Sequence, residues 1–182
     1  MSRLESAIRR LQAQKIALDW SAKNIHKQPG VVLEFGLGNG RTFDHIRKLL
    51  PLRDIYVFER KIAAHPDCIP HPAFQFVGDF MDSIPRAIEK LGRSAALAHL
   101  DIGTGEKNTS LTLAKKIAPF IEKLLCVNAI VVSDQEVERW RSYKLQLPGG
   151  ISENRIHLYL SLIHISEPTR RTPISYAVFC LK

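Results

Sequence analysis

Apolar positions recur along this chain in two alternating rhythms. Leu4, Ala7, Ile8, Leu11, Leu18, Ala22 and Ile25 fall on one face of a helix, a leading element over residues 1–27 that Gln28-Pro29-Gly30 ends. Val31 to Phe35 then reads as a strand covered on both faces, as strands of a parallel sheet are. Phe43, Ile46, Leu49 and Leu50 line a second helix that stops at Pro51. Ile55 to Phe58 is the second strand, and the three prolines between Lys61 and Pro72 predict a loop with a short helix at most. Phe74 to Val77 is the third strand. Ser83 is the expected N-cap of the next helix, with Pro85 in its first turn and Gly92 past its end. Ala95 to Ile102 is the fourth strand. Leu111, Ala114, Ile117, Ala118, Ile121 and Leu125 keep one helical phase across Pro119, which predicts a kinked helix. Ala129 to Ser133 and Arg155 to Leu160 close the pattern as strands. Strand-helix alternation at this spacing predicts an α/β fold with an open, mostly parallel sheet and helices on both faces.

In such sheets a ligand sits beyond the C-terminal strand ends, where strand order reverses. Glu34, Glu59, Asp79 and Asp101 each fall at such an end. After the first strand comes a turn with Gly36, Gly38 and Gly40 at every second position. Glycines there let the backbone turn sharply and approach a ligand closely, and the helix that follows presents free N–H groups suited to a carboxylate or phosphate. The dinucleotide fingerprint G-x-G-x-x-G would need a third glycine where Arg41 stands. That misfit, and the lack of a Tyr-x-x-x-Lys pair, disfavours a nicotinamide-dependent oxidoreductase.

The spacing from Glu34 to Gly40 is instead E-x-G-x-G-x-G, and three further segments follow in order: Ile55-Tyr-Val-Phe-Glu59, Phe76-Val-Gly-Asp79-Phe80 and Leu97-Ala-His-Leu-Asp101-Ile-Gly103. Together they resemble the class I S-adenosylmethionine-dependent methyltransferases, over roughly Pro29 to Asp134 and more loosely to Leu160. The nearest likeness is to a small bacterial family whose methyl acceptor is uncharacterised. The resemblance implies the Rossmann-like class I fold with one antiparallel C-terminal strand, and S-adenosylmethionine as cofactor. Implied cofactor contacts are Glu34, Phe35, Gly36, Leu37, Gly38, Asn39, Gly40, Arg41, Thr42, Glu59, Arg60, Gly78, Asp79, Phe80, Asp101, Ile102 and Gly103. Within that set Glu59 is implied for the ribose hydroxyls, Asp79 for the adenine amino group, and Glu34 for the cofactor's amino group through water. Phe80 is placed to cover the adenine face or simply to pack.

Methyl transfer from a sulfonium is an in-line displacement that needs alignment and exclusion of water, with a base only where the acceptor loses a proton. Asp101 is the candidate base and His99, two residues earlier on the same face, the second catalytic candidate. Against these stand a carboxylate that only orients the cofactor and a core histidine bonded within the fold. Trp140 and Tyr143, after the fifth strand, either cover the acceptor or anchor the core. Asp101-Ile-Gly-Thr is not the Asn/Asp-Pro-Pro-aromatic motif of enzymes that methylate exocyclic base amines, and no Pro-Cys nucleophile is present. A small-molecule acceptor is therefore expected, ahead of RNA or protein. A cofactor-binding module without catalysis is the alternative reading.

Composition adds little to that picture. With 182 residues, 45% hydrophobic and 24% charged, the chain suits one domain with a real core. No apolar run is long enough for a membrane span, and Met1-Ser-Arg-Leu-Glu-Ser6 lacks an apolar leader. Cys68 and Cys126 lack metal-type spacing and suit a reducing, cytoplasmic setting, so no metal is expected. The net charge is +8, concentrated in the leading helix at Arg3, Arg9, Arg10, Lys15, Lys23 and Lys27, which reads as a solvated face more than a nucleic-acid surface. Residues 161–182, Ser161 to Lys182, resemble the translation of a sequencing-library adapter, so the domain is expected to span 1–160. The alternative is a native, loop-rich terminus with a last strand from Tyr176 to Leu181.

Overall fold

Thirteen segments of regular structure alternate along the chain in a computed structural model that describes residues 2–152 and 154–161. The helices are α1 (Arg3–Asn24), α2 (Arg41–Leu49), α3 (Phe80–Leu91) and α4 (Lys107–Ile121). The strands are β1 (Val31–Phe35), β2 (Ile55–Glu59), β3 (Gln75–Val77), β4 (Ala95–Leu100), β5 (Leu125–Ser133) and β6 (His157–Leu160). Short 3₁₀ turns occupy Pro66–Cys68, Pro72–Phe74 and Glu138–Tyr143. The sheet order is β3-β2-β1-β4-β5-β6, parallel throughout except for β6, which runs antiparallel to β5. Strand order reverses between β1 and β4, so the ligand-binding switch point lies above those two strands.

Each face of the sheet is sealed by one pair of helices. Phe43 and Ile46 of α2 and Ala17, Leu18 and Ala22 of α1 bury against Val32, Val57, Leu97 and Val132. Ile84 and Ala87 of α3 and Ala114, Ile117 and Ile121 of α4 bury against Phe35, Phe58, Leu100 and Val131. On that second face the rings of Phe35 and Phe58 stack at 4.3 Å and those of Phe58 and Phe76 at 4.9 Å, tying β1, β2 and β3 together.

α1 opens on a capping box, the Ser2 hydroxyl accepting from the Glu5 N–H and the Glu5 carboxylate from the Ser2 N–H. Twenty-two helical residues span about 33 Å, whereas the five-residue β1 spans about 17 Å. The first half of α1 therefore rises past the strand ends. This is why Leu18, Ala22 and Ile25 are buried while Leu4 and Ile8, on the same stripe, stay exposed.

Three boundaries shift by four residues from the sequence expectation. The N-cap of α3 is Asp79, not Ser83: its carboxylate accepts from the Met81 N–H, while Ser83 is buried in the helix with an unpartnered hydroxyl. Aspartate caps as well as serine does, so the helix begins four residues early and Pro85 falls in its second turn. α4 ends at Ile121 instead of running on to Leu125, because the Leu124 N–H turns back to the Ile121 carbonyl and Leu125 already pairs with Ala95. β5 correspondingly starts at Leu125, and Asn128 adopts positive φ where the register shifts. Of the adapter-like tail, residues 162–182 lie outside the described residues, and so does the alternative strand from Tyr176 to Leu181.

Candidate active site at the switch point

Five strand ends converge on one edge of the sheet. Phe35, Leu100 and Ser133 form one hydrogen-bonded row that continues to His157, with Glu59 and Val77 closing β2 and β3 alongside. The peptide groups leaving these strands lock together: the Gly36 N–H donates to the Phe58 carbonyl, the Asp101 N–H to the Phe35 carbonyl and the Asp134 N–H to the Leu100 carbonyl. Gly36 sits at φ 88°, and a side chain on it would land on the carbonyl of Asp101, so close passage of two backbones requires glycine there. Gly38 sits at φ 49° and a Cβ on it would meet nothing within 4 Å. Its N–H donates to a Glu59 carboxylate oxygen at 3.0 Å, while the Arg60 N–H holds the other at 2.7 Å. The turn is thus rigid at one glycine and open at the next, with a carboxylate at its lip.

Glu34 lies beneath this turn. It has no exposed surface; one oxygen accepts from the Thr42 hydroxyl in the first turn of α2 and the other is 2.8 Å from Nδ1 of His99 on β4. Both of its oxygens are therefore engaged within the fold. His99 is equally enclosed, its Nε2 unpartnered. Burial disfavours the imidazolium, but the charge and hydrogen bond of Glu34, with the charges of Asp101 and Asp134, outweigh it and raise the pKa above 6.5. His99 is thus a core residue between β1 and β4, which separates it from the exposed Asp101 two positions on.

Asp101 keeps about a quarter of its side chain exposed, and its nearest cation is Arg10 of α1 at 3.5 Å. Ile102 and Gly103 follow it; their N–H groups donate to the Asp134 carboxylate at 3.3 and 2.8 Å. Burial raises the Asp134 pKa, and the charge of Asp101 adds to this against the hydrogen bonds from Gln135, Ile102 and Gly103. Asp79, besides capping α3, is 3.7 Å from the guanidinium of Arg60, both well exposed. Gly78 at φ 129° donates its N–H to the Glu59 carbonyl. Phe80 packs edge-on against the buried Phe35 ring at 5.9 Å. Leu37 is buried, the Asn39 carbonyl accepts from the His65 N–H, and Gly40 packs under Cys68 ahead of the exposed Arg41.

The fold therefore brings Gly36, Gly38, Glu59, Asp79 and Asp101 to one edge and sends Glu34, His99 and Thr42 below it. Trp140 and Tyr143 are not at that edge. Trp140 is 4% exposed, donates to Glu122 at the end of α4 and packs on Tyr159, because its indole N–H finds a carboxylate there. The chain after Lys144 turns toward α1 instead, with Gly150 against Ile16 and Arg155 bonded to Ser6. Sequence reasoning missed Arg10 and Asp134. Asp134 closes β5 as Asp101 closes β4, so the strand-end criterion applied once more finds it. Nothing local distinguishes Arg10 from the other cations of α1. Among the described residues no group of three His, Cys, Asp or Glu could hold a metal ion, and no helix is long and apolar enough to cross a membrane.

Comparison with known proteins agrees with this geometry. A family described as S-adenosyl-L-methionine methyltransferase matches residues 1–161. Among solved structures, an S-adenosyl-L-methionine methyl transferase from Silicibacter pomeroyi DSS-3 is 34% identical, with a TM-score of 0.82 over 88% of this chain and 99% of that one. The O-methyltransferase TomG from Streptomyces achromogenes, solved with its cofactor, is 15% identical at a TM-score of 0.46, covering 64% and 54% of the two chains. Among curated proteins none matches.

Proposed function

Because the chain belongs to the S-adenosyl-L-methionine methyltransferase family, we propose that it methylates a small-molecule acceptor held above β4 and β5. The observation that carries this reading is Asp101. Glu34 is enclosed and Asp134 is engaged by two peptide N–H groups, which leaves Asp101 as the carboxylate at the end of β4 with free surface. The residues present fit the cofactor: the space over Gly38 admits backbone contact, and Glu59 stands beside it as an acceptor for paired hydroxyls. Bound there, S-adenosylmethionine supplies a methyl group already activated on sulfur.

The chain's own groups then have separable roles. Gly36 to Gly40 and Glu59 bind, Asp79 faces the base, and Asp134 holds Ile102 and Gly103 in place. Asp101 takes the proton of an acceptor hydroxyl or amine, and Arg10 orients it. The first half of α1 and the Lys144-to-His157 loop wall off the acceptor and exclude water.

Two measurements test this. Labelled cofactor incubated with pooled metabolites should mark a small molecule; label confined to RNA or protein fractions overturns the acceptor class, and no turnover at all leaves a binding module. On any acceptor found, Asp101→Asn should lower kcat by about 10²–10⁴-fold while affinity for S-adenosylhomocysteine is nearly kept. A parallel fall in both would make Asp101 a residue that orients the cofactor.

A further inference from the structure

The cavity that Trp140 does line lies at the other end of the sheet. It measures about 340 Å³ and is bounded by Arg93, Glu122, Arg139, Trp140, Tyr143 and Tyr159 over the first residue of β5, Leu125. Arg93 precedes β4 and Leu125 opens β5, so the cavity is centred on the start of those strands and reaches along β5 as far as Val131, short of the Ser133 row at the Asp101 edge. Nothing in the methyl-transfer reading uses it.

Its polar groups are unevenly satisfied. Glu122 is fully committed: Arg139 grips both its oxygens at 2.6 and 3.1 Å, and the Trp140 indole N–H adds a third bond at 2.8 Å. Arg93, exposed at the rim, has no hydrogen-bond or ion-pair partner among the described residues, and neither has the Tyr143 hydroxyl. The Tyr159 oxygen accepts from the Val137 N–H at 2.9 Å, which leaves its own proton to donate. Burial pushes that phenol up to about 12, so it stays a donor. Two guanidiniums face one carboxylate that is already saturated, beside ring surfaces of Trp140 and Tyr159 held edge to face at 5.6 Å.

We propose that this cavity is a second small-molecule site, distinct from the cofactor edge, that takes a planar organic anion of the aromatic carboxylate class. The volume is at the small end of the range for ligand pockets, on the order of 300–1,000 Å³. It suits one or two fused rings lying against the half-buried Tyr143, with the buried Trp140 and Tyr159 behind. The carboxylate meets the fork of Arg93, whose planar donors match it in a bidentate pair. Arg139, held by Glu122, frames the rim instead of binding.

Calorimetric titration of the full chain with benzoate, 1-naphthoate and indole-3-carboxylate tests this, with neutral benzamide as control. At least one acid should bind saturably and one to one, and benzamide should bind markedly more weakly. Arg93→Ala should weaken the acid by about ten-fold or more, the worth of one charge-assisted pair, and Arg93→Lys should recover part of that loss. Because Arg93 is exposed and outside the core, both variants should melt with the parent protein. Affinity for S-adenosylhomocysteine should be the same in all three proteins. The proposal is overturned by no saturable binding of any of the three acids, by equal affinity for benzamide, by indifference to Arg93→Ala, or by displacement of the acid with S-adenosylhomocysteine.

Discussion

A single buried ion pair sets the chemistry under the site. Glu34 and His99 share no surface with solvent, and the Glu34 carboxylate favours the charged form of His99 against the cost of burial. The raised pKa of His99 gives the pair a direction with pH. Its stabilisation is fully present below the ordinary histidine value of 6.5 and is lost as pH rises through the higher folded value. His99→Gln removes the countercharge and should cost about 3–5 kcal/mol at low pH. It should also flatten the decline in stability as pH rises above 6.5. Thermal melts across that range check it; an unchanged pH slope would assign the decline to another group. Glu59 makes a different kind of prediction. It is half-buried at the lip of the turn, and its carboxylate accepts from the Gly38 and Arg60 N–H groups. Glu59→Ala should weaken S-adenosylhomocysteine by about 1–3 kcal/mol in calorimetry while leaving the fold intact. Full affinity in that variant would remove the ribose role.

Between β1 and α2, two glycines two positions apart separate folding from binding. Gly36→Ala drives a methyl into the Asp101 carbonyl at positive φ, so it should lower the melting temperature and affinity together. Gly38→Val points into open space, so melting should fall only by the strain of its φ, while affinity for S-adenosylhomocysteine should be lost. Equal damage to melting from both would mean that the space over Gly38 serves no ligand. The glycine spacing and the strand-end acids were legible in the sequence because both are local: each follows from which residues flank one turn. Every strand was legible too, since buried parallel strands are continuous apolar runs. What misled were choices between near-equal local signals. Asp79 and Ser83 both cap well, and only the chain's exit from β3 through Gly78 decides for Asp79. Trp140 was ambiguous for a tertiary reason, because its partner Glu122 lies 18 residues away on another element. Arg10 reaches Asp101 across 91 residues, a pairing set by the length of α1 and invisible to any window.

At the scale of the molecule, the family match and the paired sheet stop together. The match ends at residue 161, and the Silicibacter relative is covered almost wholly by 88% of this chain. The Ser161 N–H donates to the Ala129 carbonyl and its own carbonyl accepts from the Asn128 N–H, so the ladder between β5 and β6 runs one residue past Leu160. Ser161 thus still belongs to the paired sheet. Among the described residues, α1 and α2 seal one apolar face and α3 and α4 the other. Residues 162–182 carry Arg170, Arg171 and Lys182 against Glu167, so removing them takes the net charge from +8 to +6. Such a change at the chain end is small against the burial in the core. A chain ending at Ser161 should unfold cooperatively, within about 2–4 °C of the parent, which for a domain of this size corresponds to about 1 kcal/mol. It should also keep its affinity for S-adenosylhomocysteine, since the strand ends that form the site lie at the opposite end of the sheet from Ser161. Paired calorimetric melts and titrations of the two chains decide it. Loss of a cooperative transition on truncation would show that the adapter-like string supplies part of the fold, whatever its origin.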